Sequence, residues 1–321
     1  MKRILTLLGT VFLCLTSIIL PAKAATIASG TCGDSLTWTL ADTGTLTISG
    51  TGEMYDFYYD NGVWTNPWMS YAGDIKKVLI KQGVTGIGEW AFGYCRNLFS
   101  ITLPESVTSI GDRAFYDCSS LISITLLEGV MSIGEDAFYN CSSLTSIILP
   151  ESLTSIGDWA FYNCSTLTSI TIPEGVTSIG GWAFSDCSSL TSIILPESLT
   201  SIGGWAFDSC SSLTSIILPE SVTSIEGWAF RNCSSLTSII LPESVTSIEG
   251  WAFVNCSGLT QITVQAVIPP MVGDSAFSSV SRDIPVYVPA ESLEAYQKAD
   301  VWKEFNLQGM DSKPASVLSQ L

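Results

Sequence analysis

Cysteine is the residue type whose spacing in this chain most directly suggests chemistry. The chain has ten cysteines, and the nine that lie beyond residue 24 cannot all pair within one chain. The sequence offers neither a histidine nor a CxxC pair to complete a zinc site. We therefore expect buried, reduced thiols that behave as small apolar groups, with metal binding as the alternative. Cys32 is one of the nine beyond residue 24, and the other eight recur every 23 residues, at Cys95, Cys118, Cys141, Cys164, Cys187, Cys210, Cys233 and Cys256.

A second periodic set consists of carboxylates that each follow a short apolar segment. Paired carboxylates are used in glycoside hydrolysis, and neighbouring ones can bridge calcium. An active site needs one asymmetric group of residues, whereas this set repeats in successive units, and without histidine no Ser-His-Asp or Cys-His site can form. We expect solvated acids, and we predict no catalytic residues, no metal site and no cofactor. The set comprises Glu105, Glu128, Glu151, Glu174, Glu197, Glu220 and Glu243.

Tryptophan dominates the residue position that precedes each Ala-Phe pair. Because the same position accepts Arg113 and Asp136, we expect it to face solvent and its tryptophans to form an outward strip. Exposed aromatic strips mark binding surfaces, so this strip is the predicted ligand site. The alternative is that the indoles stack on one another and only stabilise the array. The first repeat has Trp90, and the tryptophan strip itself is Trp159, Trp182, Trp205, Trp228 and Trp251.

A second outward set lies on the predicted strands. Isoleucine alternates there with serine, so both side chains point to the same face. This set would add an apolar stripe to the sheet surface. Its members are Ile148, Ile194, Ile217 and Ile240.

All of these residues are positioned by a 23-residue unit that recurs eight times over residues 75–258. One clear copy is LTSIILPESLTSIGDWAFYNCST at 144–166. Burying its larger apolar side chains stabilises it by roughly 9–18 kcal/mol, whereas ordering the unit costs about 35 kcal/mol. Stacking on neighbouring units must supply the difference, so we predict a β-rich solenoid. The inward side chains are Leu144, Ile147, Leu149, Leu153, Ile156, Ala160, Phe161 and Cys164.

The SIGxxAFxxCxxL core, with its preceding LPxSVT segment, resembles the BspA-type leucine-rich repeat family. The resemblance covers all eight repeats. Repeat one departs at residues 81–83, where Lys-Gln-Gly replaces Pro-Glu-Ser, and repeat three has Leu127 in place of proline. The resemblance implies a leucine-rich repeat array, secretion or surface display in host-associated bacteria, and adhesion or protein binding rather than catalysis.

The segments outside the repeats predict an export signal and two caps. Residues 1–24 have a basic start, an apolar core and an A-x-A site, as in a secretory signal peptide; an uncleaved membrane anchor is the alternative. Residues 25–74 predict an N-terminal cap with a β-hairpin, followed by an aromatic loop that either covers the end of the solenoid or stacks on sugars. Residues 259–308 predict a degenerate repeat and a C-terminal strand–helix cap, and 309–321 a tail. Both caps also resemble those of the family.

Charge narrows the range of partners. The formal net charge is −17, and removing the three basic residues of the first 24 gives −17 − 3 = −20. This negative net charge disfavours binding to nucleic acid and to anionic membranes. We therefore expect a secreted or cell-surface, non-catalytic protein that binds a protein or polysaccharide ligand, such as host extracellular matrix, and has no membrane span after signal cleavage. A structural surface-layer protein and a carbohydrate-active enzyme are the alternatives.

Overall fold

The computed structural model describes residues 24–310; the predicted signal peptide up to residue 23 and the tail from residue 311 lie outside them. Successive 23-residue units stack in register, because identical residues occur at identical offsets. Ser123 pairs with Ser146 in one set of parallel strands, and Ser132 pairs with Ser155 in the other. The fold is the β-rich leucine-rich repeat solenoid that the sequence predicts.

Two series of short parallel strands run along the solenoid. The first consists of Lys77–Ile80, Ser100–Thr102, Ser123–Thr125, Ser146–Ile148, Ser169–Thr171, Ser192–Ile194, Ser238–Leu241, Gln261–Val264, Pro285–Pro289 and Asn306–Met310. The second consists of Gly52–Glu53, Val84–Ile87, Ser109–Ile110, Ser132–Ile133, Ser155–Ile156, Ser178–Ile179, Ser201–Ile202, Ser224–Ile225, Ser247–Ile248 and Met271–Val272. In the first series the central residue of each three-residue strand points inward, as Ile147 does, and its neighbours point out.

A column of phenylalanine rings forms the centre of the core. One ring comes from each turn, and neighbouring ring centroids are 5.2 to 5.6 Å apart. Backbone hydrogen bonds hold the turns together beside these rings, as where Phe115 N–H donates to the carbonyl of Ala137 at 2.8 Å. The rings are fully buried, and they are Phe92, Phe115, Phe138, Phe161, Phe184, Phe207, Phe230, Phe253 and Phe277.

The cysteines beyond residue 24 are buried and unpaired, in agreement with the expectation of reduced thiols. From Cys118 to Cys256, each repeat Sγ donates to the carbonyl of a phenylalanine in the preceding turn; the Cys118 Sγ lies 3.1 Å from the Phe92 oxygen. Burial raises the pKa of Cys95 and of Cys187 to about 12. The thiols are therefore protonated at neutral pH and contribute as small core groups.

The N-terminal cap contains the predicted hairpin, with Leu36–Ala41 antiparallel to Thr45–Gly50, and an additional strand, Thr26–Gly33. A short hairpin, Tyr59–Asp60 with Val63–Trp64, and the 3-10 helix Met69–Tyr71 follow. The aromatic loop divides into two groups. Trp68 is fully buried and stacks on Phe92 at 5.8 Å, so it closes the solenoid end, whereas Tyr58 stays exposed.

The C-terminal cap closes the other end of the phenylalanine column. Ala290–Ser292 and Trp302–Glu304 are 3-10 helices, and Leu293–Tyr296 is an α-helix. The Trp302 ring lies 5.7 Å from Phe277, and the strand Asn306–Met310 continues past the predicted boundary at 308. Within residues 24–310, no helix has both the length and the apolar character that crossing a membrane requires.

Candidate functional site

The five indoles of the tryptophan strip stack face to face along the solenoid. Their ring centroids are 4.4, 4.5, 4.3 and 4.9 Å apart in chain order, and adjacent planes are within 7° of parallel. The first four are half-buried and Trp251 is 40% exposed. Each indole inside the stack therefore presents an edge to solvent, while both of its faces contact neighbouring rings or turns.

The backbone at this position is left-handed in every turn. The φ angle is 54° at Trp182 and 56° at Trp205, and Arg113 and Asp136 adopt 54° and 55°. This conformation is uncommon for large side chains and favours Asn, Asp and Gly. The fold thus requires a left-handed residue at this position, but it does not require an indole.

The prediction that this position faces solvent is wrong for Asp136, which is buried. Its carboxylate lies 3.0 Å from Nη2 of Arg113, and the same nitrogen lies 2.6 Å from the Glu135 carboxylate. Burial raises the pKa of Asp136, and the Arg113 charge offsets this only in part. Arg113 and Asp136 are tolerated at this position because adjacent turns supply opposite charges. A charged residue here therefore does not show that the position faces solvent.

Three tyrosines extend the aromatic surface across the turns that lack tryptophan. The Trp90 and Tyr116 centroids are 5.1 Å apart, and Tyr139 stacks on Tyr116 at 4.6 Å and on Tyr162 at 4.7 Å. Tyr162 then contacts Trp159 at 5.2 Å. We call Tyr116, Tyr139 and Tyr162 the tyrosine extension. Sequence reasoning missed it, although the recurrent AFYxC motif was the available signal.

A groove of about 610 Å³ runs along another surface of the solenoid. A second left-handed residue in each turn, directly before the cysteine, supplies part of its lining, and ladder hydrogen bonds connect these residues. Asn255 Nδ2, for example, donates to Asn232 Oδ1 at 2.9 Å. Sequence reasoning did not identify this groove; the NCS and DCS tripeptides marked it. Its lining residues are Asp186, Ser188, Ser209, Ser211, Asn232, Ser234, Asn255, Ser257 and Ser279.

The strand face carries only part of the predicted isoleucine stripe. Ile148 is 61% exposed and Ile194 is 52% exposed, whereas Ile217 and Ile240 are half-buried. A shallow groove of about 280 Å³ lies between Ser146 and Pro173. The apolar stripe is therefore discontinuous, and the aromatic surface is the longer of the two.

The predicted carboxylate ladder lies at the surface, and all seven of its glutamates are exposed. Among residues 24–310, no group of three or more His, Cys, Asp or Glu side chains is arranged to hold a metal ion. The carboxylates thus contribute negative charge along the solenoid.

Family comparison agrees with this geometry. The model for the BspA type leucine rich repeat region, which spans six copies, matches residues 69–191 and 158–282. The chain belongs to the BspA-type leucine-rich repeat family. The match covers the stacked turns that carry the tryptophan strip and the tyrosine extension. Comparison with curated protein sequences gives no significant match.

Several solved structures similar to this BspA-type protein are bacterial leucine-rich repeat proteins. A leucine-rich cell surface protein from Faecalibacterium prausnitzii is 25% identical over 78% of this chain and 92% of its own, with a TM-score of 0.40. A leucine-rich repeat protein from T. pallidum is 27% identical over 69% and 86%, with a TM-score of 0.48. One from Eubacterium ventriosum is 22% identical over 79% and 95%, with a TM-score of 0.39.

Proposed function

We propose that this BspA-type protein is a non-catalytic binding protein of the cell surface, and that its ligand docks along the tryptophan strip and the tyrosine extension. The observation that carries the proposal is the chain's own variation at the tryptophan position. Arg113, Asp136 and Ser275 hold the left-handed backbone there as well as any indole does. Five successive tryptophans are therefore not explained by what the backbone needs.

The geometry favours a protein ligand over a polysaccharide. Sugars bind aromatic residues through ring faces, and the faces within the strip are stacked at 4.3 to 4.9 Å. The exposed edges carry the positive part of the ring quadrupole, which suits carbonyl oxygens and apolar groups of an extended polypeptide. Leucine-rich repeat proteins generally bind proteins. Repeated weak contacts along such a segment would raise its affinity through multivalency.

Adhesion to host extracellular matrix is the specific form of this proposal. Surface display is proposed from the family membership together with the signal-like residues 1–24. We propose no catalytic role, because the polar groups of the surface recur turn after turn. One asymmetric set of acid, base and nucleophile is what hydrolysis would need. A structural surface-layer role remains the competing proposal, and it requires no single ligand.

The test compares two triple variants on an array of purified collagen, laminin, fibronectin and glycans. The first replaces Trp182, Trp205 and Trp228 by Asn, which suits the left-handed backbone. We expect it to fold and to lose at least tenfold in affinity, about 1.4 kcal/mol. The matched control replaces Ile194, Ile217 and Ile240 by Thr, the residue that sibling strands carry at Thr125 and Thr171. We expect the control to bind as the parent does.

Each other outcome contradicts a defined part of the proposal. Undiminished binding by the tryptophan variant would remove the strip as the site, and loss in the control alone would assign binding to the strand face. Binding to no matrix protein would contradict adhesion and favour the surface-layer role. A collapse of the melting temperature in the tryptophan variant would show that the strip is mainly structural.

A further inference from the structure

The tryptophan stack ends at Trp251 with one indole face uncovered. The inner face of this ring packs on Trp228 at 4.9 Å. In the next turn, the equivalent position holds Ser275, whose φ of 57° matches that of the tryptophans. The register is fixed by the Asp274 carbonyl, which accepts the Trp251 N–H at 3.1 Å, as the Gly250 carbonyl accepts that of Trp228. A small exposed hydroxyl thus stands where another indole would lie.

The chain itself shows which group covers an indole when the following turn has no tryptophan. After Trp90, the next turn supplies Arg113, and its guanidinium carbon lies 5.7 Å from the centroid of the Trp90 ring. This is cation–π geometry, which is favourable between a guanidinium and the negative face of an indole. Three of the four arginines in residues 24–310 lie over aromatic rings; the other two are Arg96, over Tyr94, and Arg282, over Phe305.

Charge around the open face favours a cation. The carboxylates of Glu89, Glu135 and Asp136 surround Arg113, and after the opposing effect of burial they raise its pKa. Residues 232–281 contain three carboxylates and no Lys or Arg, and the two flanking arginines are engaged elsewhere, Arg231 with Asp208 and Arg282 over the Phe305 ring. Two of these carboxylates, Glu249 and Asp274, are exposed and lie close to Trp251 in the stacked backbone. A positively charged planar group is therefore complementary to both the ring and its surroundings.

We infer that the open face of Trp251 binds the guanidinium of an arginine that a protein partner presents. The inference rests on the proposed binding role and specifies its chemistry at one end of the tryptophan strip. An arginine at this end would fix the position of a partner segment along the edges of the strip. It would do so as Arg113 does within the chain, by stacking on an indole beside carboxylates.

The test follows the indole N–H resonance of Trp251 by NMR in the intact folded protein. Loss of that resonance in a Trp251→Phe variant assigns it. The probes are N-acetyl-arginine amide, its uncharged isostere N-acetyl-citrulline amide, and methyl β-glucoside. We expect a saturable shift with the arginine probe only, in the millimolar range, and a salt-dependent affinity because the contact is electrostatic. Saturation by citrulline at equal concentration, or by the glucoside, would overturn the inference.

A pair of arginine substitutions locates the probe on the ring face. Ser275→Arg places a guanidinium over Trp251 from within the chain, and Arg113 shows that arginine tolerates this backbone conformation. We expect it to abolish the saturable shift. Ser279→Arg adds the same charge at another exposed left-handed position, where φ is 68° and which lies beyond Phe277, and it should leave the shift intact. Equal probe binding in both variants would show that the open face is not the site.

The outcome is separable from that of the matrix-protein array. If the protein binds a ligand on the array through the tryptophan strip but the arginine probe gives no shift, the proposed function stands and the cation site is refuted. If the probe binds Trp251 and the array shows no ligand, the cation site stands without an adhesive role.

Discussion

Raising the pH from about 7.5 to about 9.5 is expected to destabilise this protein steeply. Burial raises the pKa of eight thiols above the ordinary value of about 8.5. They belong to Cys32, Cys95, Cys118, Cys141, Cys164, Cys187, Cys210 and Cys233. Because the folded-state pKa lies above the unfolded-state pKa, the stabilisation is complete below about pH 8.5. It is lost as the pH rises towards the folded-state pKa, which is about 12 for Cys95.

The size of the effect follows from the fraction of thiol that ionises only in the unfolded chain. One unfolded thiol with a pKa of about 8.5 gains about 1.4 kcal/mol from ionisation at pH 9.5 and under 0.1 kcal/mol at pH 7.5. The eight thiols together therefore lower the free energy of unfolding by about 11 kcal/mol over this interval. A typical domain is stable by only about 5–15 kcal/mol. The expected loss is comparable to the whole stability of a typical domain, so we expect the protein to unfold at a much lower urea concentration in mild alkali.

The assay is urea unfolding followed by circular dichroism at both pH values, under argon and with a reductant. A variant with Cys141, Cys164 and Cys187 replaced by Ala starts less stable, but its loss between the two pH values should be about 4 kcal/mol smaller. A loss below about 2 kcal/mol in the parent would refute the reasoning, since it would mean that the native thiols ionise too. An unchanged pH dependence in the alanine variant would refute it equally.

Three further predictions test the fold. Denatured protein without residues 1–24, kept anaerobic, should react with about nine equivalents of a thiol reagent, and native protein with far less than one; a shortfall restored by reductant would show disulfides. Deletion of residues 190–212, one whole unit, should leave a cooperatively melting solenoid, whereas deletion of 190–201 should unfold it; equal melting temperatures would contradict register stacking. Arg113→Met should lower the unfolding free energy by about 1–3 kcal/mol at pH 7, because the buried Asp136 carboxylate would lose its partner. Adding Asp136→Asn should recover much of that loss, because no unpaired carboxylate would then remain; no loss in the single variant would show that the ion pair is not stabilising.

Most of the solenoid was predictable from the period alone. Identical residues at identical offsets can bury their apolar faces together only when units stack in register, which fixes Phe161 and Cys164 as inward side chains. The terminal strands were not predictable in the same way. Thr26–Gly33 is rich in Gly, Ser and Thr and lacks clear alternation, and Asn306–Met310 is short and mostly exposed. Both form because a neighbouring strand offers an edge, which is a long-range effect that a local pattern does not contain.

The alignment of the tryptophans along the solenoid was predictable, but the environment of their repeat position was not. The tryptophans could be aligned by repeat, yet the burial of Asp136 depends on Arg113, which lies one turn away. A charged residue at a repeat position therefore indicates exposure only when the same position in adjacent turns cannot neutralise it. The tyrosine extension was missed for a related reason: Tyr162 and Trp159 occupy different repeat positions and meet only after the turns are wound.

The two left-handed positions in each turn provide an internal comparison for the role of the indoles. Both require a positive φ, with 59° at Trp159 and 54° at Asn163, for example. The position before the cysteine mostly carries Asn, Asp and Ser, which satisfy that requirement through local hydrogen bonding. The other position carries tryptophan in five consecutive turns although the same small residues would fit its backbone. The requirement for tryptophan therefore lies in the side chain, in its contacts with neighbouring rings and with the proposed ligand, and not in the backbone. Stacking uses the faces within the strip, which leaves the exposed edges and the open face of Trp251 as surfaces available to a ligand.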